Sequence, residues 1–125
     1  NLPVESTIDA VVTAEELMNA QALVPEIRVE ESVRNYIVRI VHATRAHPAL
    51  ELGASPRATL FLYRGTQAMA AKEGRTYVIP DDVKVLAEPV LAHRLALTPQ
   101  ARLRGITTEY VVREVLNAVS VPVET

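Results

Sequence analysis

The chain contains no cysteine and no tryptophan, and its 125 residues include only one phenylalanine. Without cysteine, disulfides, thiolate catalysis and zinc sites built on sulfur are excluded. No apolar run approaches the roughly 20 residues that cross a bilayer. The opening stretch NLPVESTIDAVV also lacks the basic start and apolar core of a signal peptide. These absences favour a cytoplasmic protein that does not enter a membrane.

Neither sign of charge dominates the chain. Thirteen lysines and arginines stand against 15 acidic residues, giving a net charge of -2, and no basic block stands out. Nucleic acid and anionic membranes are therefore not expected as partners. A length of 125 residues with 49% hydrophobic content fits one compact domain, residues 1–125.

Apolar residues recur at helical spacing along most of the sequence. The pattern predicts helices over about residues 14–24, 30–46 and 55–73, one from about 80 that Pro89 kinks or splits, and a last one capped by Thr107. RTYVI (75–79) favours a few extended residues, and TPQARLRGI (98–106) indicates a polar loop. Five or six helices with little or no strand predict an all-α small helical bundle, with Ile40 and Leu62 in its core.

The polar residues offer no metal site and no complete catalytic site. His42 and His47 are five residues apart and lie on different helical faces, so no metal ligand set is predicted. Asp81 and Asp82 follow Pro80, where acids ordinarily cap a helix. The sequence has no phosphate-cradling P-loop and no strand that ends in paired acids. Any nucleotide chemistry must therefore be completed outside this chain, which is not expected to be catalytic alone.

One position breaks a local rule. In LGASPRATL (52–60), Ser55 is predicted to cap a helix and Pro56 to fill its first position, yet Arg57 then puts a cation in the first turn. A cation there costs about 0.3–1 kcal/mol unless an anion lies nearby. The residues alone leave three partners open: a bound phosphate, a carboxylate such as that of Glu51, or water.

The whole pattern resembles a known family. LGASPRATLFLYRGTQAMAAKEGRTYVIPDDVKVLAEPVLAHRLAL (52–97) is similar to the C-terminal lid of MoxR-type AAA+ ATPases, whose lids carry a GASPRA stretch, a helix ending in EGR, a YV.PDDV element and a VL.HRL stretch. The flanking helical segments are similar to the remaining lid helices, so the resemblance runs from Thr13 to Pro122.

The resemblance implies a role for the arginine at the start of the third predicted helix. Arg57 would be the sensor-2 residue, approaching the β- and γ-phosphates of ATP and coupling hydrolysis to lid rotation, while Gly53, Ala54, Ser55 and Pro56 bring the backbone close to the nucleotide. The pattern leaves open whether Arg64 or Arg94 also approaches the nucleotide, and both are kept as scaffold residues. Residues 1–12 would form an extended linker from a missing N-terminal αβ ATPase core.

The resemblance also implies cofactors and partners. ATP and Mg2+ would bind the full-length protein and not this chain alone, because Walker A and Walker B are absent. Partners would be the core, neighbouring subunits of a hexameric ring, and client proteins including von Willebrand A-domain proteins, in chaperone-like remodelling or maturation. Two alternatives stay open: a stand-alone helical protein-interaction module, and a structural oligomerisation domain.

Overall fold

A computed structural model describes residues 26–123 and shows a mostly helical domain. Its elements in chain order are α1 (Glu31–Arg45), β1 (Leu50–Leu52), α2 (Pro56–Lys72), α3 (Pro80–Leu91), a 3-10 turn (Ala92–Arg94), β2 (Ala96–Leu97), α4 (Pro99–Leu103) and α5 (Thr108–Ala118). The predicted all-α class is confirmed, with five helices and one small sheet in the described residues. The helix predicted over 14–24 and the linker predicted over 1–12 lie outside the described residues.

Helix α1 lies close to its predicted bounds and supplies one side of the core. It packs against α2 and α5, while α3 packs along α2 and against α5. Ile40 of α1 and Leu62 of α2 are both fully buried, as predicted. The buried residues of α1 recur every three or four positions, as an amphipathic helix requires: Val33, Tyr36, Ile37, Ile40, Val41 and Thr44.

Helix α2 ends at a glycine that the sequence marks clearly. Gly74 has a φ of +80°, a left-handed conformation that favours glycine. The following amide, of Arg75, donates to the carbonyl of Ala70 at 2.8 Å, which satisfies a carbonyl in the last helical turn. The chain thereby reverses direction and returns as α3 along α2.

The start of α3 is fixed by a buried ion pair. Both carboxylate oxygens of Asp82 accept from the guanidinium of Arg75 at 2.8 Å, and one also accepts from the Ile79 amide at 2.9 Å. Burial acts to raise the pKa of Asp82, but the hydrogen bonds from Arg75 and Ile79 outweigh it and leave that pKa below its ordinary value. The predicted capping role of this acid is confirmed.

The structure corrects three details of the fold. Helix α3 is not split at Pro89 but runs through it to Leu91, because Pro89 lies on the exposed side near the helix end. Among residues 26–123, the extended pairing of RTYVI amounts to one parallel bridge, from Tyr77 to Arg28. The small sheet instead joins β1 to β2, antiparallel.

A short helix also replaces part of the loop predicted over residues 98–106. The Thr98 hydroxyl accepts from the Ala101 amide and begins α4, which ends before Gly105 at a φ of +81°. None of the helices between residues 26 and 123 has the length and apolar character needed to cross a bilayer.

Candidate functional site

Arg57 is the second residue of α2 and is exposed to solvent. Pro56 occupies the first helical position, as predicted, and the first turn contains no acidic side chain. Within residues 26–123, no carboxylate oxygen lies within 4.0 Å of the Arg57 guanidinium, so Glu51 does not pair with it. The cation thus stands at the positive end of the helix dipole without a protein counter-charge in the described part of the chain.

Ser55 precedes this helix but does not cap it in the predicted way. Its backbone is extended, with φ -83° and ψ 166°, and its side chain makes no capping hydrogen bond. The backbone carbonyl of Ser55 instead accepts from the Ala58 amide at 2.9 Å, which satisfies that amide without the hydroxyl. The prediction of Ser55 as the residue before the helix is right, and the prediction of a side-chain cap is wrong.

The C-terminal end of α1 holds the loop before Arg57 in place. The Ala54 amide donates to Thr44 Oγ1 at 3.0 Å, and Arg45 Nε donates to the Ala54 carbonyl at 2.9 Å. Thr44 and Ala54 are both buried. Both polar backbone atoms of Ala54 are therefore bonded to two consecutive side chains, which fixes the loop directly before the helix.

Gly53 allows this close approach. A β-carbon at Gly53 would lie 2.6 Å from Arg45 Cα and 2.8 Å from Arg45 N, distances at which backbone atoms would have to shift. The glycine of the GASPRA stretch is therefore explained by contact with the end of α1. Arg45, which sequence periodicity places on the outer face of its helix, is the residue that Gly53 and Ala54 contact.

Arg94, in the 3-10 turn after α3, lies close to the first turns of α2. Its guanidinium carbon lies 4.6 Å from the centre of the Phe61 ring, and that of Arg57 lies 5.9 Å from the same centre. Arg94 Nη1 also donates to the Val90 carbonyl at 2.7 Å. From the sequence alone, Arg94 was kept as a scaffold residue. Its contact with Phe61 could not be predicted, because only the tertiary fold brings the 3-10 turn beside α2.

An open depression of about 440 Å³ lies between Arg94 and the loop that precedes α2. Among residues 26–123, two arginines and no acid belong to its lining, which consists of Arg45, Leu52, Gly53, Ala54, Ser55 and Arg94. Arg57 is not among these lining residues and lies two positions after Ser55 in the sequence. Guanidinium groups without nearby carboxylates favour an anion, and the planar fork of arginine matches phosphate oxygens.

Comparison with known proteins identifies relatives of this chain. Residues 42–115 match the AAA lid domain family. The YeaC protein of Bacillus subtilis is 43% identical over 122 residues, which cover 98% of this chain and 38% of that protein. Chaperone MoxR1 of Mycobacterium tuberculosis is 36% identical over 116 residues, covering 86% of this chain and 31% of that protein.

A solved structure agrees with these sequence relatives. A proposed ATPase of Cytophaga hutchinsonii superimposes with a TM-score of 0.80 at 26% identity, over 98% of this chain and 44% of that one. The chain therefore spans less than half the length of each of these three relatives.

Proposed function

This chain belongs to the AAA lid domain family and is a lid of the MoxR type, and we propose that it closes over ATP bound on an αβ ATPase core of the same protein. Arg57 supplies the sensor-2 cation to the β- and γ-phosphates, and residues 53–56 bring the backbone close to the nucleotide. The observation that carries this proposal is the position of Arg57, which begins α2 beside a depression lined by Arg45 and Arg94, with no carboxylate within 4.0 Å in the described residues.

Phosphoryl transfer changes the distribution of negative charge on the transferring group. The transferring group spreads negative charge over its oxygens, and positioned cations stabilise that charge. A cation carried on a separate subdomain can reach the phosphate only when the lid closes. The contact of Arg57 with the phosphate would then shift the lid equilibrium by the difference in contact free energy between the open and closed states.

The fixed loop before the helix supports this role. Thr44 and Arg45 tie the backbone of Ala54 to α1, so Arg57 moves with the whole domain and not with a flexible segment. A lid that rotates as one body would carry its arginine toward or away from the phosphate without local rearrangement. Hydrolysis would in this way be coupled to lid rotation.

ATP and Mg2+ would bind on the core, because the Walker A and Walker B motifs that hold them do not occur in this sequence. The full-length protein would hydrolyse ATP, whereas this chain would contribute the phosphate-facing arginine. It would work in the cytoplasm, in a ring that is commonly hexameric in the AAA+ proteins.

Remodelling or maturation of client proteins is the outcome we propose for the cycle. The relative named chaperone MoxR1 supports a chaperone-like role, and clients would include von Willebrand A-domain proteins. Lid rotation driven by phosphate release would supply the mechanical step.

The sequence upstream of Asn1 in the native gene tests this proposal. We expect a GxxxxGK[ST] motif that follows a predicted strand, and a later strand that ends in paired acids. An upstream region without either motif would contradict the nucleotide role. It would favour a stand-alone helical module that binds a partner protein, in which Arg57 has no phosphate to meet.

A further inference from the structure

Phe61 is the only phenylalanine in the chain, and its ring is contacted by two arginines. It lies one turn into α2, where its half-buried ring is approached by the guanidinium of Arg57 at 5.9 Å and that of Arg94 at 4.6 Å. Both distances fall within the range of a cation–π contact, and the Arg94 contact is the closer of the two. Two cations from separate parts of the chain therefore contact the same aromatic ring.

Arg94 is held more rigidly than Arg57. Its side chain is half-buried, whereas that of Arg57 is exposed. Arg94 Nη1 donates to the Val90 carbonyl at 2.7 Å, and the ring of Phe61 supports the guanidinium plane. An arginine carries five N–H donors, so this one hydrogen bond leaves further donors for a ligand. The guanidinium is thus pre-organised and lines the depression with Gly53 and Ser55.

The charges around this ring are not balanced within the described residues. No carboxylate oxygen between residues 26 and 123 lies within 4.0 Å of Arg57 or Arg94. Each guanidinium group therefore attracts an anion, and a phosphate group that reached both would be stabilised by each of them.

From these contacts we propose that Arg94 is a second phosphate-contacting cation of the nucleotide site, held beside Arg57 by the ring of Phe61. This inference rests on the proposed function, since the phosphate belongs to ATP on the core. It predicts that affinity for the triphosphate depends on both arginines. Arg64 provides a matched control, because it is exposed on the same helix about 10 Å farther along the axis from Arg57.

The test uses the full-length protein and measures the dissociation constants of a non-hydrolysable ATP analogue and of ADP. Arg94→Gln keeps a polar N–H group and the apolar stem against Phe61 but removes the charge. We expect this substitution to weaken binding of the ATP analogue by about tenfold, and binding of ADP by less, because a charge-assisted hydrogen bond to phosphate is lost. Arg94→Lys should recover part of the affinity, and the control Arg64→Gln should bind like the parent.

Phe61→Leu keeps both arginines and an apolar side chain but removes the ring, so it tests the inference should Arg94→Gln fail to fold. We expect a loss of analogue affinity of several-fold as the two guanidinium groups lose their common support. Parent-like affinity in a folded Phe61→Leu would overturn the inference.

The failures of the two proposals are distinguishable. Suppose that Arg57→Gln weakens binding of the ATP analogue while Arg94→Gln binds it as tightly as Arg64→Gln does. Arg94 then only anchors the 3-10 turn. The inference is overturned, but the proposed function stands. If neither Arg57→Gln nor Arg94→Gln changes the affinity, the proposed function falls as well.

Discussion

Gly53 lies against the backbone of Arg45, so closely that a β-carbon on Gly53 would stand 2.6 Å from Arg45 Cα. This contact joins the end of α1 to the loop that begins α2, and therefore determines where Arg57 stands. It also explains why the loop tolerates no side chain at this position although Gly53 does not have a positive φ.

Gly53→Ala should therefore destabilise the domain by about 1–3 kcal/mol, because the backbone of Arg45 would have to move. Gly65→Ala is the matched control, since its β-carbon would meet only the flexible Leu86 Cδ1, at 3.3 Å. Gly65 lies inside α2, where alanine is favoured over glycine by about 1 kcal/mol, so that variant should be neutral or more stable. Urea denaturation of both variants measures the difference, and equal effects would contradict the account of Gly53.

Core residues and Arg57 should differ sharply in their contribution to stability. Ile40 and Leu62 are fully buried, so Ile40→Ala and Leu62→Ala should each cost about 2–5 kcal/mol of unfolding free energy. Arg57→Ala should cost little or stabilise slightly, because a cation is removed from the positive end of a helix. Equal losses in chemical denaturation would contradict the view that Arg57 serves binding and not folding.

The ion pair at the start of α3 should make stability depend on acidic pH. The pKa of Asp82 in the folded protein lies below its ordinary value of 3.8, so the pair stabilises the fold fully above about pH 4 and loses that contribution as the pH falls further. Asp82→Asn should cost on the order of 3 kcal/mol at neutral pH, because Arg75 loses a partner whose side chain is only 4% exposed.

Urea denaturation of the parent chain and of Asp82→Asn, at neutral pH and again near pH 3, measures this dependence. The difference in unfolding free energy between the two proteins should shrink on acidification, since protonation of Asp82 weakens the same pair. A difference that stays constant with pH would show that the charge on Asp82 does not carry the effect.

Tyr36 buries a hydroxyl group without a hydrogen-bond partner in the part of the chain that the structure describes. Burial is the main reason that its pKa lies above the ordinary value, with the charge of Asp81 adding to the rise and Arg39 opposing it. Removing an unsatisfied buried hydroxyl should be neutral or stabilising, by up to about 1 kcal/mol. Tyr36→Phe tests this in thermal and urea denaturation, and a clear loss of stability would show that the hydroxyl is satisfied in the folded protein.

Local signals predicted the parts of the fold that depend on neighbouring residues. The apolar stripe of α1 is read from a few adjacent positions and is confirmed, and Gly74, with its positive φ, lies directly after the residues predicted as the helix over 55–73. The same kind of signal was present for α4, where Thr98 and Pro99 begin a helix and Gly105 ends it. That helix was missed because it has only five residues, too few for the apolar spacing to show.

Local sequence patterns do not predict the contacts between distant parts of the chain. The pairing of β1 with β2 joins residues more than forty positions apart, and neither segment shows a clear alternation of apolar and polar residues. The position of Arg94 beside Phe61 likewise depends on how α3 returns along α2. Arg57 could be singled out only because it broke a local rule, and its neighbours Arg45 and Arg94 broke none.

The most direct test of the central claim is ATP hydrolysis by the full-length protein with Arg57 replaced by alanine, measured beside the control Arg64→Ala. The account predicts a loss of about tenfold or more for Arg57→Ala, because a cation that stabilises the transferring phosphoryl group is removed, with the fold intact by circular dichroism. Arg64→Ala should hydrolyse ATP at the parent rate. Parent-like hydrolysis by a folded Arg57→Ala protein would contradict the account.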